Sequence, residues 1–171
     1  VLYPTVMREV VLGVASKGAF DPVWSARILE EWARAARKLG AEGEAQARGE
    51  IALLQASWPG AAQPAAPGVE ARLWLPDDND IHVLAVAISA SADSIMTLNA
   101  KDFPRGVLAE EGLPRVDPDG YLMSLWPGHE GAIRDVAEAV QETASRLSGA
   151  QWDMRRLMKK ARLPRLGKAL A

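Results

Sequence analysis

Apolar residues recur at helical spacing in the first third of the chain. A first amphipathic helix is predicted to follow Pro4 and to end at Gly18, with an apolar face of Met7, Val10, Val11 and Val14. Asp21-Pro22 predicts the start of a second helix, whose apolar face holds Trp24, Ile28, Trp32, Ala35 and Leu39. A third and weaker helix is predicted over residues 42–56, because two glycines interrupt it.

The middle of the chain changes to a pattern that predicts strands. Residues 57–68 are rich in proline, glycine and alanine and predict a mobile loop. Apolar and polar residues then alternate over 69–75, which predicts a strand, and 94–98 is apolar enough for a second one. A helix over 82–90 separates them. This order predicts a βαβ unit and a parallel sheet, to which residues 115–116 would add a short third strand.

The remainder of the chain, from Asp117 onward, has a helical pattern. Helices are predicted over 118–126, 129–147 and 151–162, with a last turn after Pro164. We therefore predict an α/β domain over 1–120 and a C-terminal helical extension over 121–171 that packs on it.

Composition narrows the choice of function. The chain has 171 residues and no cysteine, which excludes thiolate metal sites and fits a cytoplasmic protein. It lacks an apolar run of about 20 residues, so no membrane span is expected. The net charge is −2, yet seven basic residues and no acid lie between Arg155 and Lys168. They could form a solvated helix face or a surface that contacts RNA phosphates; the candidates for such contacts are Arg155, Arg156, Lys159 and Lys160.

Oxygen-bearing side chains follow both predicted strands. The first strand is followed by Asp77, Asp78, Asn79 and Asp80, and the second by Thr97, Asn99 and Asp102. Parallel strands bring such residues to one edge of a sheet, where clustered carboxylates are usually neutralised by a hard divalent cation. The alternative is that these acids only cap helices, with Asp80 as the N-cap of the next helix.

Two motifs resemble the paired motifs of PIN domains. They are LPDDNDIHVL at 75–84 and TLNAKDFP at 97–104, and they are most similar to a bacterial toxin-type (VapC-like) branch. The opening Val1–Pro4 resembles the segment after the first strand of the family, where an aspartate is expected just before Val1. Residues 28–31 resemble the helix that supplies the family's glutamate, and 152–164 resemble the branch's tail.

The resemblance implies a three-layer fold with a parallel sheet of four or five strands flanked by helices, plus C-terminal helices. It also implies a metal-dependent endoribonuclease that uses Mg²⁺ or Mn²⁺, with an RNA substrate, a cognate antitoxin and a homodimer as partners. The implied catalytic residues are Glu31, Asp80 and Asp102, with Asp77, Thr97 and Asn99 as auxiliary residues. The implied metal ligands are Glu31, Asp80, Asn99 and Asp102.

Two departures from the family pattern favour an alternative function. The first aspartate is absent from the chain, which we expect to be trimmed at its N-terminus, and Asn99 stands where many relatives carry aspartate. The alternative is a catalytically impaired PIN scaffold that acts as a protein-interaction module. A phosphoacceptor domain is a third hypothesis, but the two paired motifs fit it poorly. His82 is expected on the surface of its helix, although it could bond a carboxylate.

Overall fold

A computed structural model describes residues 1–171, and its contacts divide the chain into two compact units, one of residues 22–115 and the other of 1–21 with 116–171. The helices are α1 Thr5–Ser16, α2 Ala26–Ala35, α3 Gly40–Ser57, α4 Pro67–Glu70, α5 Ile81–Ser89, α6 Arg105–Glu110, α7 Pro118–Ser148, α8 Met154–Lys160 and α9 Pro164–Leu170. The strands are β1 Trp24–Ser25, β2 Ala62–Gln63, β3 Ile95–Met96 and β4 Arg115–Val116, and 3₁₀ helices span Ala36–Leu39 and Asp78–Asp80. None of the helices has the length and apolar character needed to cross a bilayer.

The parallel sheet of the unit 22–115 is small and begins earlier in the chain than expected. β1 pairs in parallel with β2, with Trp24 opposite Ala62, and α2 and α3 form the connection between them. The second helix therefore begins at Ala26 rather than after Asp21-Pro22. Trp24 is extended and buried, and the Ser25 hydroxyl accepts a hydrogen bond from the amide of Ile28, which caps α2. The predicted α/β class is confirmed.

The predicted strand over 69–75 is wrong. Pro67 occupies the first turn of α4, where its missing N–H costs nothing, and successive turns continue to Leu73 through the bond from its amide to the Glu70 carbonyl. Of the alternating apolar residues only Leu75 is buried; Val69 and Leu73 are partly buried and Ala71 is exposed. The predicted loop over 57–68 contains β2 instead.

The core of this unit surrounds α5, which is apolar over almost its whole length. β3 lies inside the predicted segment 94–98 and pairs with β4, and the Ile95 amide donates to the Pro114 carbonyl at 3.0 Å. The core residues are Leu75, Leu84, Ala87, Ile95, Phe103, Leu108 and Leu113. Instead of one sheet of four or five strands, the structure has two pairs of two-residue strands.

The unit of residues 1–21 and 116–171 is helical. α1 packs on α7 through Met7, Val10 and Val14, which are fully buried, as the first helix was predicted to do. α7 is interrupted at His129, whose φ of −134° is not helical, which matches the predicted break between 126 and 129. The predicted division into residues 1–120 and 121–171 stays a prediction about domains.

Candidate metal centre

The turn before α5 contains two aspartates, Asp77 and Asp80, that differ in their hydrogen bonding. The Asp77 carboxylate accepts bonds from the backbone and side-chain amides of Asn79, at 2.9 and 3.1 Å, and so holds the 3₁₀ turn in place. Asp80 stands at the N-cap position of α5, yet its carboxylate accepts no capping hydrogen bond. The Asp80 carboxylate is therefore not engaged in capping α5 and can contact another partner.

A second turn, after β3, brings an amide to the same acids. The Thr97 hydroxyl accepts a bond from the Asn99 backbone at 3.0 Å, which orders the turn. The Asn99 side-chain amide then donates to Asp102 at 2.8 Å and to Asp80 at 3.4 Å. Asn99 therefore joins the two strand-end segments that the sequence predicted to converge.

One carboxylate oxygen from each of Asp77, Asp80 and Asp102 lies within 4.8 Å of the other two. We call these three residues the acidic cluster. Burial raises the pKa of the Asp80 carboxyl, and repulsion from Asp77, Asp102 and Glu31 raises it further. Three half-buried carboxylates at this separation repel one another, and a bound cation would relieve that repulsion.

Glu31 reaches the same region from α2. Its Oε1 lies 2.7 Å from Nε2 of His82 and 3.5 Å from Nε of Arg27. Its charge contributes to the raised pKa of Asp80, although its oxygens are not among those within 4.8 Å of each other in the acidic cluster. The structure thus brings the predicted ligand residues together, with Glu31 at the margin. Asn99 presents its NH₂ to the acids, while its Oδ1 accepts a bond from the Asp102 backbone amide at 3.3 Å. Their roles as ligands stay predictions.

His82 is not on the helix surface, so that expectation was wrong. Its side chain is 2 % exposed, Nε2 faces Glu31, and Nδ1 has no hydrogen-bond partner. The sequence contained a signal for this: His82 is the only polar residue between Ile81 and Ile88, and a helix that is apolar on all sides is buried.

The donor set fits a hard divalent cation. Every ligand atom of the acidic cluster is a carboxylate oxygen, and the side chains are partly open to solvent, which suits Mg²⁺ or Mn²⁺ ions that keep some of their water.

The predicted RNA-contacting residues belong to the other unit. Arg155, Arg156, Lys159 and Lys160 are exposed on α8. Lys160 Nζ lies 4.9 Å from the centroid of the Trp152 ring, and the guanidinium carbon of Arg156 lies 5.9 Å from it. They form a basic surface beside an aromatic ring, and contact with RNA stays a prediction.

A family model described as PIN domain matches residues 4–101. The match covers more than half of the chain and includes Glu31, Asp77, Asp80 and Asn99, while Asp102 lies one residue beyond it. No curated protein and no solved structure matches the chain.

Proposed function

The chain belongs to the PIN-domain family, whose members are generally metal-dependent nucleases, and on this premise we propose that it is an endoribonuclease. The observation that carries the proposal is the convergence of Asp77, Asp80 and Asp102 to within 4.8 Å. These acids come from separate turns, and two of them are joined through Asn99. Helix capping accounts for Asp77, which caps the 3₁₀ turn, but not for Asp80, whose carboxylate accepts no capping bond.

Asp77, Asp80 and Asp102 would hold Mg²⁺ or Mn²⁺, with Glu31 as a further ligand. Asn99 could join them only after its amide turns, because its NH₂ now faces the acids and its Oδ1 accepts from the Asp102 backbone. When bound, such an ion polarises a phosphate oxygen and lowers the pKa of a bound water. Asp80 is the best placed base, because its carboxylate accepts no capping hydrogen bond at the start of α5 and lies beside Asp77 and Asp102. It would orient the attacking water and accept its proton as the water oxygen bonds to phosphorus. The bond from phosphorus to the leaving oxygen would break, and that oxygen would take a proton from solvent. Asn99 would keep Asp80 and Asp102 together.

The biological role that we propose is the toxin of a toxin–antitoxin pair, acting in the cytoplasm. It rests on the resemblance of the two motifs at 75–84 and 97–104 to that branch, and the absence of cysteine fits a reducing compartment. The partners would be a single-stranded or looped RNA, held by the basic residues of α8, a cognate antitoxin and a second copy of the chain. A neighbouring reading frame whose product blocks RNA cleavage would support this role.

The experiment is cleavage of single-stranded RNA in Mn²⁺ by the wild type, Asp80→Asn and Asp93→Asn. Asp93 is an exposed acid in the same unit, so it is a matched control for the loss of one charge. We expect Asp80→Asn to lower the rate by about 10²-fold or more, the usual size of the effect of removing a catalytic base. Asp93→Asn should cleave like the wild type. A wild type that neither binds Mn²⁺ nor cuts RNA contradicts the proposal.

A second candidate is the catalytically impaired scaffold, and Asn99 is the observation that favours it. An amide at this position gives the site one negative charge fewer than an aspartate would. A wild type that binds Mn²⁺ but leaves RNA intact, while still binding an antitoxin, is the outcome that this candidate predicts.

A further inference from the structure

We propose that His82 is a positioning residue for the metal centre: its Nε2–H holds Oε1 of Glu31, so that Oε2 is kept for the cation. The inference rests on the proposed function and adds to it a residue that carries no ligand role there. The two atoms are 2.7 Å apart, a short hydrogen bond of the kind that a carboxylate acceptor gives.

The two partners differ in how firmly they are held. His82 is 2 % exposed and lies in the first turn of α5, whose packing fixes its rotamer. The Glu31 side chain is 45 % exposed and has three rotatable bonds, so it would sample several rotamers without a fixed donor. The hydrogen bond to the buried His82 ring therefore restricts the rotamers of the exposed Glu31 side chain.

The two ring nitrogens indicate which tautomer makes the bond. Nδ1 is buried without a partner. A proton on Nδ1 would leave a buried N–H donor unsatisfied, whereas a proton on Nε2 is donated directly to Glu31. We assign the Nε2–H tautomer on this hydrogen bonding.

The contacts of Glu31 converge on one of its oxygens. The closest approach of Arg27, at 3.5 Å from its Nε, is also to Oε1. The second oxygen is thus left for another ligand, and Glu31 is near enough for its charge to act on Asp80. The start of α5 therefore supplies one metal ligand, Asp80, and two residues later the side chain that orients a ligand from α2.

The test is a double-mutant cycle for Mn²⁺ affinity, measured by calorimetry on the full chain without RNA. The proteins are the wild type, His82→Phe, Glu31→Gln, Glu31→Ala and the two double variants, with His129→Phe as the control for the same substitution in the other unit. We expect His82→Phe to weaken Mn²⁺ binding about 10- to 100-fold, as the loss of a partner that orients a ligand usually does. It should have a much smaller effect in the Glu31→Gln background, because the Gln oxygen can still accept the hydrogen bond but is a weaker ligand, and no further effect in a Glu31→Ala background, because His82 acts through Glu31.

A rescue distinguishes positioning from packing. Gln carries an amide donor that can reach the place of Nε2, so His82→Gln should recover most of the affinity that His82→Phe loses. If His82→Phe does not fold, His82→Asn, whose amide is too short to reach Glu31, replaces it in the cycle. The inference is overturned if His82→Phe (or His82→Asn) binds Mn²⁺ as tightly as the wild type. It is also overturned if this substitution weakens Mn²⁺ binding equally with and without the Glu31 carboxylate. Either result leaves the proposed nuclease function intact. A wild type that binds no Mn²⁺ overturns both.

Discussion

Asn99 offsets the repulsion between carboxylates of the acidic cluster. Its amide donates to both Asp80 and Asp102, so it stabilises two carboxylates that would otherwise only repel each other. A carboxylate in its place would gain affinity for a cation and lose these hydrogen bonds. An amide at position 99 thus stabilises the metal-free protein and weakens metal binding, relative to a carboxylate.

We predict that Asn99→Asp destabilises the metal-free protein by about 1–3 kcal/mol, since two hydrogen bonds become a repulsive contact. Mn²⁺ should then raise the melting temperature more than it does in the wild type, because a cation with four carboxylates nearby binds more tightly. Thermal unfolding in EDTA and in Mn²⁺ measures both effects. Gln63→Glu, which adds the same charge away from the cluster, is the control, and an Asn99→Asp variant as stable as the wild type in EDTA would contradict the prediction.

The role of a single residue could be predicted only where its sequence context fitted one role and not two. Asp80 suited both a cap and a ligand, because both need an acid at the start of a helix. Only the geometry of its carboxylate, which accepts no capping bond, separates the two. For His82 the hydrophobic run around it was a signal, but its partner Glu31 lies 51 residues away and no local pattern connects them.

Among the elements, the long helices were predicted, and so were two of the four short strands, β3 within 94–98 and β4 at 115–116. α1, α3, α5 and both segments of α7 have enough turns for a 3.6-residue period to appear. β1 and β2 were missed, because each has only two residues, too few for alternation, and they are defined by their pairing across α2 and α3. The turns over 67–73 show the converse case, in which alternation appears without a strand.

α9 is a short element whose start depends on a residue far away in the chain. Asp119, in the first turn of α7, is 5 % exposed, and its two oxygens accept bonds from the amides of Arg165 and Leu166 at 2.9 and 3.0 Å. No side chain within α9 caps these amides. A buried carboxylate thus performs the capping role between two helices of the same unit.

We predict that Asp119→Ala lowers the free energy of unfolding by about 2 kcal/mol, because it leaves the buried amide of Leu166 and the partly buried amide of Arg165 without an acceptor. Asp119→Asn keeps one acceptor oxygen and should lose about half as much. Urea denaturation gives both values, with the exposed Asp135→Ala on the same helix as the control. Equal stabilities of Asp119→Ala and the control would show that the cap is dispensable.

For the whole molecule, the grouping of elements could not be derived from their order. α1 packs on α7, more than 100 residues further along the chain, and the order of the elements does not indicate this pairing. The packing is close: a Cβ added at Gly13 would lie 2.5 Å from Cγ1 of Val136. Complementarity between distant helix faces decides such a pairing, and neither face specifies its partner through periodicity alone.

The separation of the chain into two units leads to a prediction about charge. The acidic cluster lies in residues 22–115, and the exposed basic residues of α8 lie in the other unit. If α8 holds the RNA backbone, replacing Arg155, Arg156, Lys159 and Lys160 with Gln should weaken RNA binding in a salt-dependent way. Each phosphate contact on single-stranded RNA contributes about 0.7 to the slope of log affinity against log salt concentration, so four contacts contribute about 3.

Fluorescence anisotropy with single-stranded RNA in EDTA, repeated from about 50 to 200 mM salt, measures this slope without cleavage. Lys17→Gln with Lys38→Gln, two exposed lysines outside α8, is the control and should leave the slope unchanged. Mn²⁺ affinity should be the same in the α8 variant and the wild type, because α8 contributes no ligand to the acidic cluster. An α8 variant with the slope of the wild type would mean that these side chains are a solvated helix face, and that RNA is held by other residues.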